Sequence, residues 1–203
     1  MAEKFSLEWQ IEEMRNQFDK FKIESVEKTD NMMLIKARVD FTVYFAFYSK
    51  FIVCSGDYGE WQFDTTWKTL VNGKPKISLN FHYLLGKLSS DCKKFDFDSE
   101  CCNYQLNKWK EKFLEEIKED YENEDVDFKE FLSNFNVYFE SINTDDENSY
   151  ISTLREFADF LEENGFSDTF EYEFWDFGKL YIWQLVGQLV MFEKIVEYFK
   201  EEK

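Results

Sequence analysis

The residues able to do chemistry are few in kind. His82 is the single histidine in 203 residues. One imidazole excludes multi-histidine metal sites such as an HExxH helix. A cysteine–histidine nucleophile would need Cys54, Cys92, Cys101 or Cys102 beside His82. His82 sits in an apolar stretch read as a helix, so a packed or surface histidine is the simpler reading. No GxGxxG and no GxxxxGK[ST] occurs, which leaves nucleotide binding through such loops without support. Carboxylates are plentiful. Asp96-x-Asp98-x-Glu100 and Asp120-x-Glu122-x-Glu124 alternate as oxygen ligands for Ca²⁺ or Mg²⁺ could, and Asp145-Asp146-Glu147 is a third run. The first two lack the loop glycine, and their twelfth positions are Asn107 and Phe131, so neither is an EF-hand. Glu116-x-Lys118 and Asp91-x-Lys93 match half of a nuclease-type pattern, which arises by chance at 33% charged residues. The expectation is a non-enzyme with no catalytic residue, no cofactor and no metal.

What the carboxylates do in bulk is more informative. The chain has 42 acids against 24 bases, a net charge of -18. Residues 1–90 hold 12 of each, so residues 91–203 carry the whole excess. From Glu119 to Asp176 there are 19 acids and two bases, Lys129 and Arg155. Such asymmetry reads either as an acidic interaction surface or as a solubilising face. It argues against direct nucleic-acid binding, which needs cations for the phosphates. Aromatics at 20% and a single proline exclude collagen-like, mucin-like and disordered chains. Met1-Ala2-Glu3-Lys4-Phe5 lacks the basic-then-apolar pattern of a secretory leader. The longest uncharged apolar run, Leu180 to Phe192, is too short to span a bilayer. Reduced cysteines in a cytosol follow as the expectation.

The elements follow from periodicity. Residues 6–22 read as a helix, with Ile11, Met14, Phe18 and Phe21 on one face. Residues 35–47 alternate apolar and polar and read as one long strand. Phe51–Cys54 and Glu60–Phe63 flank Gly56-Asp57-Tyr58-Gly59 as a hairpin, and Gly73-Lys74-Pro75 reads as a second turn. Leu79 to Leu88 reads as a short helix. A long helix capped by Asp98 or Ser99 carries Cys102, Leu106, Trp109, Phe113 and Ile117 inward. Asp127-x-x-Glu130 is a capping box for the next helix. Thr144 or Asp145 caps another, which Gly165 ends. A last helix is expected over about 177–200, apolar all round in its first half and central to a bundle. The fold class is therefore α+β: an N-terminal helix with an antiparallel sheet of three or four strands over 1–90, then an acidic bundle of four or five helices over 91–203. No linker rich in Pro or Gly separates the two parts, which leaves one continuous core open as an alternative to two. Trp61, Trp67, Trp109, Trp175 and Trp183 read as core.

Three short motifs, Gly56-Asp57-Tyr58-Gly59-Glu60-Trp61-Gln62-Phe63, Tyr83-Leu84-Leu85-Gly86-Lys87-Leu88 and Phe97-Asp98-Ser99-Glu100, resemble those of small uncharacterised proteins of bacteriophages and prophages. The resemblance covers residues 40–120 and implies a phage origin, hence a host cytoplasm. It carries no site residues and does not reach the acidic block.

Together these readings predict a phage-encoded inhibitor, of the anti-CRISPR kind, of a basic, nucleic-acid-binding host defence protein such as a CRISPR effector. Carboxylates would stand in for phosphates in a channel lined by Lys and Arg. The residues expected to do so are Glu119, Asp120, Glu122, Glu124, Asp125 and Asp127, then Asp145, Asp146 and Glu147, then Glu162, Glu163, Glu171 and Glu173, with Tyr121 and Tyr172 as aromatic anchors. The aromatic–acid alternation over 170–177 adds a carboxylate face if extended. The alternative is a structural or regulatory phage protein that binds through the neutral sheet, at the Gly56–Gly59 hairpin or the face with Lys36 and Arg38.

Overall fold

The computed structural model describes residues 2–120, 126–166, 174 and 176–201, with backbone alone at 119, 120, 126 and 127. The architecture is α+β, and the chain divides into two compact units. One comprises Met1–Lys94 with Tyr181–Lys203; the other, Phe95–Leu180, is inserted into it along the sequence.

The first unit opens with α1 (Leu7–Gln17), which Ser6 caps by accepting the Trp9 N–H. The helix stops at Phe18, short of the predicted residue 22. Next comes a five-stranded antiparallel meander in the order β1-β2-β3-β4-β5: β1 (Lys22–Lys28), β2 (Met32–Arg38), β3 (Thr42–Tyr48), β4 (Phe51–Gly56) and β5 (Trp61–Asp64). Strand β1 is hidden in the sequence by an irregularity. A register shift between Ile23 and Ser25 puts the half-buried Ile23 and Val26 three apart, a helical spacing. The single strand predicted over 35–47 is two strands. Arg38 pairs with Thr42, so the connection Val39-Asp40-Phe41 has an odd number of residues. An odd connection keeps the alternation in phase, and the odd-numbered residues of both strands fall on one face.

That inner face holds Met33, Ile35, Ala37, Val43, Phe45, Phe47, Ile52, Cys54 and Phe63, all at 1% exposure or less. The ribbon β6 (Leu70–Val71) and β7 (Lys74–Pro75) turns at Asn72-Gly73, both left-handed, one residue earlier than the sequence suggested. The short helix α2 (Phe81–Leu85) is capped by Asn80.

The C-terminal helix, here α6 (Trp183–Glu201), is buried from Leu185 through Phe192. It does not sit at the centre of the acidic bundle. Phe192 packs on Phe45 and Phe63 at 5.6 and 5.5 Å, and the helix shares its core with α1 and the sheet. A helix apolar on every side needs apolar cover on every side. The sheet's inner face and the stripe Leu7, Ile11, Met14 of α1 supply it.

The inserted unit contains three described helices, α3 (Ser99–Asp120), α4 (Val126–Glu140) and α5 (Glu147–Glu163), and β8 (Phe95–Phe97), which pairs with β9 (Lys179–Tyr181) at the unit's end. Asp98 caps α3 by accepting the Cys101 N–H at 2.7 Å, as expected. The proposed capping box at Asp127 lies outside the described side chains. Asp146, not Thr144 or Asp145, caps α5. Gly165 ends it in the left-handed region: its N–H reaches Glu162 O at 3.0 Å and the Phe166 N–H reaches Leu161 O at 2.9 Å, a Schellman closure. The core is a network of rings. Trp109 meets Phe113 and Phe174 at 4.9 and 4.8 Å, and Phe135 meets Phe113 and Phe157 at 5.4 and 5.5 Å.

Candidate functional site

The boundary between the two units is also a boundary of charge. Residues 95–180 contain 25 acids and 7 bases, while residues 1–94 with 181–203 contain 17 of each. The whole net charge of -18 therefore belongs to the inserted unit.

Within it, α5 presents the best described acidic face. Leu154, Phe157, Phe160 and Leu161 turn inward, so Glu156, Asp159 and Glu163, at steps of three and four, share the exposed side with Glu162. Asp145, Asp146 and Glu147 lie exposed at its start. Asp146 is committed to the cap. Its carboxylate accepts the N–H groups of Asn148 and Ser149 and the Ser149 hydroxyl at 2.7 Å, and these bonds hold its pKa below the ordinary aspartate value. Acids at a helix start are stabilised by its dipole; Glu162 and Glu163 lie at the opposite end, where carboxylates are disfavoured, and no base accompanies them in the last turn.

Of the thirteen predicted acids, five thus have described side chains, Asp145, Asp146, Glu147, Glu162 and Glu163. They form two groups at opposite ends of a helix about 24 Å long. Glu119 and Asp120 end α3, and Asp127 lies in the first turn of α4, each with its side chain outside the described residues. Glu122, Glu124, Asp125, Glu171 and Glu173 lie outside them altogether, as do Tyr121 and Tyr172. Of the 170–177 alternation, Phe174 is buried, and Asp176 accepts from Lys179 at 2.8 Å. Sequence reasoning overlooked Glu156 and Asp159, which fill the gap between the two groups on α5. Their spacing against the buried stripe was the available signal.

The neutral unit offers balanced charges. Lys36 and Arg38 stand on the outer sheet face, and both approach Glu24, at 2.8 and 3.7 Å. The Gly56–Gly59 hairpin is tied down: Asp57 accepts the Thr42 N–H at 3.0 Å, and Tyr58 stacks on Phe41 at 4.5 Å. His82 is exposed, with Nε2 2.8 Å from Glu8 Oε1, and this contact is the main cause that lowers the Glu8 pKa. The pair belongs to a groove of about 350 Å³ along α1, where Arg15 also binds Glu193 through two N–H groups at 2.7 and 3.0 Å. Four of its ionisable groups are paired in this way, and Glu12 lines it as well.

The cysteines are free thiols. Burial pushes Cys54 well up, Cys101 to about 11 and Cys102 to about 12, so these three are poor nucleophiles. Among the described residues, no three His, Cys, Asp or Glu are grouped to hold a metal ion, and no helix is long and apolar enough to cross a membrane. Compared with protein-family models, curated proteins and solved structures, the chain matches none.

Proposed function

We propose that the protein is a non-enzymatic binding protein whose inserted unit, residues 95–180, engages the cationic surface of a nucleic-acid-binding partner. The observation that carries this reading is the partition of charge: one unit holds all of the -18 and the other holds none. A charge confined to one compact body sets up a local field able to steer a basic partner, which a dispersed charge does not. Glu162 and Glu163 strengthen the reading, because they stand at the helix end where they cost stability rather than add it. With the phage resemblance, the fitting role is an inhibitor that occupies the nucleic-acid channel of a host defence protein, carboxylates in place of phosphates.

The test is capture from bacterial lysate by the wild type and by a variant with α5 neutralised. That variant carries Asp145→Asn, Glu147→Gln, Glu156→Gln, Asp159→Asn, Glu162→Gln and Glu163→Gln, and it keeps the cap residue Asp146. The expected result is a basic partner held at low salt, released near about 0.5 M salt where screening is severe, lost with the variant, and displaced from its nucleic acid by the wild type. A partner retained at high salt or by the variant overturns the reading.

A second reading is favoured by the outer face of the sheet. Met32, Tyr48 and Phe51 pair in register across β2, β3 and β4, each at least 36% exposed, with Tyr44 also exposed on β3. A structural or regulatory protein binding through this face would lose its partner on Tyr48→Lys and keep it after neutralisation of α5.

A further inference from the structure

A second groove runs along the other side of α1, lined by Trp9, Glu13 and Gln17 of α1, Tyr58 of the β4–β5 connection, and Trp183 and Gln184 of α6. It encloses about 460 Å³. Its walls are fixed. Trp9 and Trp183 meet edge to face at 5.8 Å and 66°. Phe5 braces Trp9 at 5.3 Å and adopts φ 68, a left-handed conformation that bulky residues rarely enter and that costs on the order of 1–3 kcal/mol. Tyr58 lies where a side chain at position 187 would be, and only Gly187 leaves room for its ring.

The polar rim differs from that of the groove across the helix. There Glu8 meets His82 and Arg15 meets Glu193. Here Glu13, Gln17 and Gln184 have no side-chain partner among the described residues, and neither do the indole N–H groups of Trp9 and Trp183. Trp183 is 36% exposed although α6 is otherwise buried over most of its first half. The groove therefore combines aromatic walls, one unpaired carboxylate and two unpaired amides.

We propose that this groove takes an arginine side chain from a peptide segment of a partner protein. The guanidinium lies against an indole face, and its N–H groups donate to the Glu13 carboxylate and to the amide oxygens of Gln17 and Gln184. The indole N–H groups donate to carbonyls of the same segment. Arginine fits better than the other occupants of aromatic sites. Two indoles at 66° form a corner rather than the open platform a sugar ring stacks on. Lysine is a compact, strongly hydrated charge that uses three acceptors less well than a planar fork does. The site lies wholly in the neutral unit, so it stands or falls separately from the acidic surface.

The experiment is a titration of the whole protein with the single-arginine peptide acetyl-Gly-Arg-Gly-amide, read by NMR on the indole N–H signals, assigned by Trp→Phe substitutions. The signals of Trp9 and Trp183 are expected to move saturably while those of Trp61 and Trp109 hold still. Glu13→Gln is expected to weaken binding about tenfold, the loss of one charge-assisted hydrogen bond. Because Glu13 is exposed on α1, the variant retains the fold. The citrulline peptide, equal in shape and uncharged, is expected to leave both indoles unmoved. Unmoved Trp9 and Trp183 signals, equal shifts from the citrulline or lysine peptide, or full affinity in Glu13→Gln would each overturn the proposal.

Discussion

The two units solve the same problem, burying enough apolar surface, under opposite electrostatic conditions. The neutral unit builds a layered core in which aliphatic and aromatic side chains of the sheet face α1 and α6. The acidic unit has to hold helices together against its own like charge. It does so with rings: Trp109, Phe113, Phe128, Phe135, Phe157, Phe160 and Phe174 dominate its core, with Phe131, Phe139 and Phe166 packed against them. Each ring buries roughly 150–250 Å², and each well-placed pair adds about 0.5–1.5 kcal/mol. Among the described residues, most rings of the acidic unit belong to its interior, with Tyr138 and Phe95 exposed. The described groove that joins outward aromatics to unpaired polar groups lies in the neutral unit.

That contrast can be broken or sharpened by experiment, and the largest effects come from the two cores. Phe192→Ala and Phe157→Ala each remove a fully buried ring and are expected to cost about 3–5 kcal/mol. Hydrogen exchange should show the loss in the sheet, α1 and α6 for the first and in α3–α5 for the second. An equal loss everywhere after either change would dissolve the distinction. A change of opposite sign is expected at Gln188. Its amide is fully buried in α6, and neither oxygen nor nitrogen is bonded among the described residues. Gln188→Leu should therefore raise stability by about 1–3 kcal/mol, seen as a higher Tm; a lower Tm would mean that the amide has a role in the fold.

Smaller effects separate the acidic unit. Asp98→Ala removes the cap of α3 and should cost about 1 kcal/mol, with exchange rising first in that helix's first turn. Raising salt should protect α3–α5 slightly by screening their mutual repulsion, about 0.5–1 kcal/mol at most, and leave the sheet unchanged. Finest of all is a pH effect at Asp146. Its folded pKa is depressed, so its contribution is present above its unfolded value, about 3.9, and fades as pH falls through the lower folded value. Protection at the start of α5 should thus decline on acidification, and Asp146→Asn should flatten that decline.

Much of this was legible in the residues. The inward faces of α3 and α5, the β4–β5 hairpin and the stop at Gly165 followed from local spacing and turn chemistry. The misreadings also have local causes. A strand irregularity imitated a helical step at Ile23 and Val26, and an odd turn fused two strands into one apparent run. The placement of α6 could not be read locally, because an all-round apolar helix fits any core that offers cover. For the same reason the sequence assigns the acid excess to residues 91–203, although the fold returns residues 181–203 to the neutral unit. The aromatic groove is not legible in the spacing, because Trp183 reads as core and Trp9 stands off the buried stripe Leu7, Ile11, Met14.

The insertion also orders events during synthesis. The sheet's strands leave the ribosome first, yet the helix that covers their inner face is the latest of these elements to be made. At about 5–20 residues per second, the nascent sheet waits several seconds or more with Phe45 and Phe63 lacking their final partner Phe192. The acidic unit is translated in that interval with all of its own core residues in one continuous stretch. It can mature first, and its charge would keep the half-finished chain from sticking to its neighbours on the polysome.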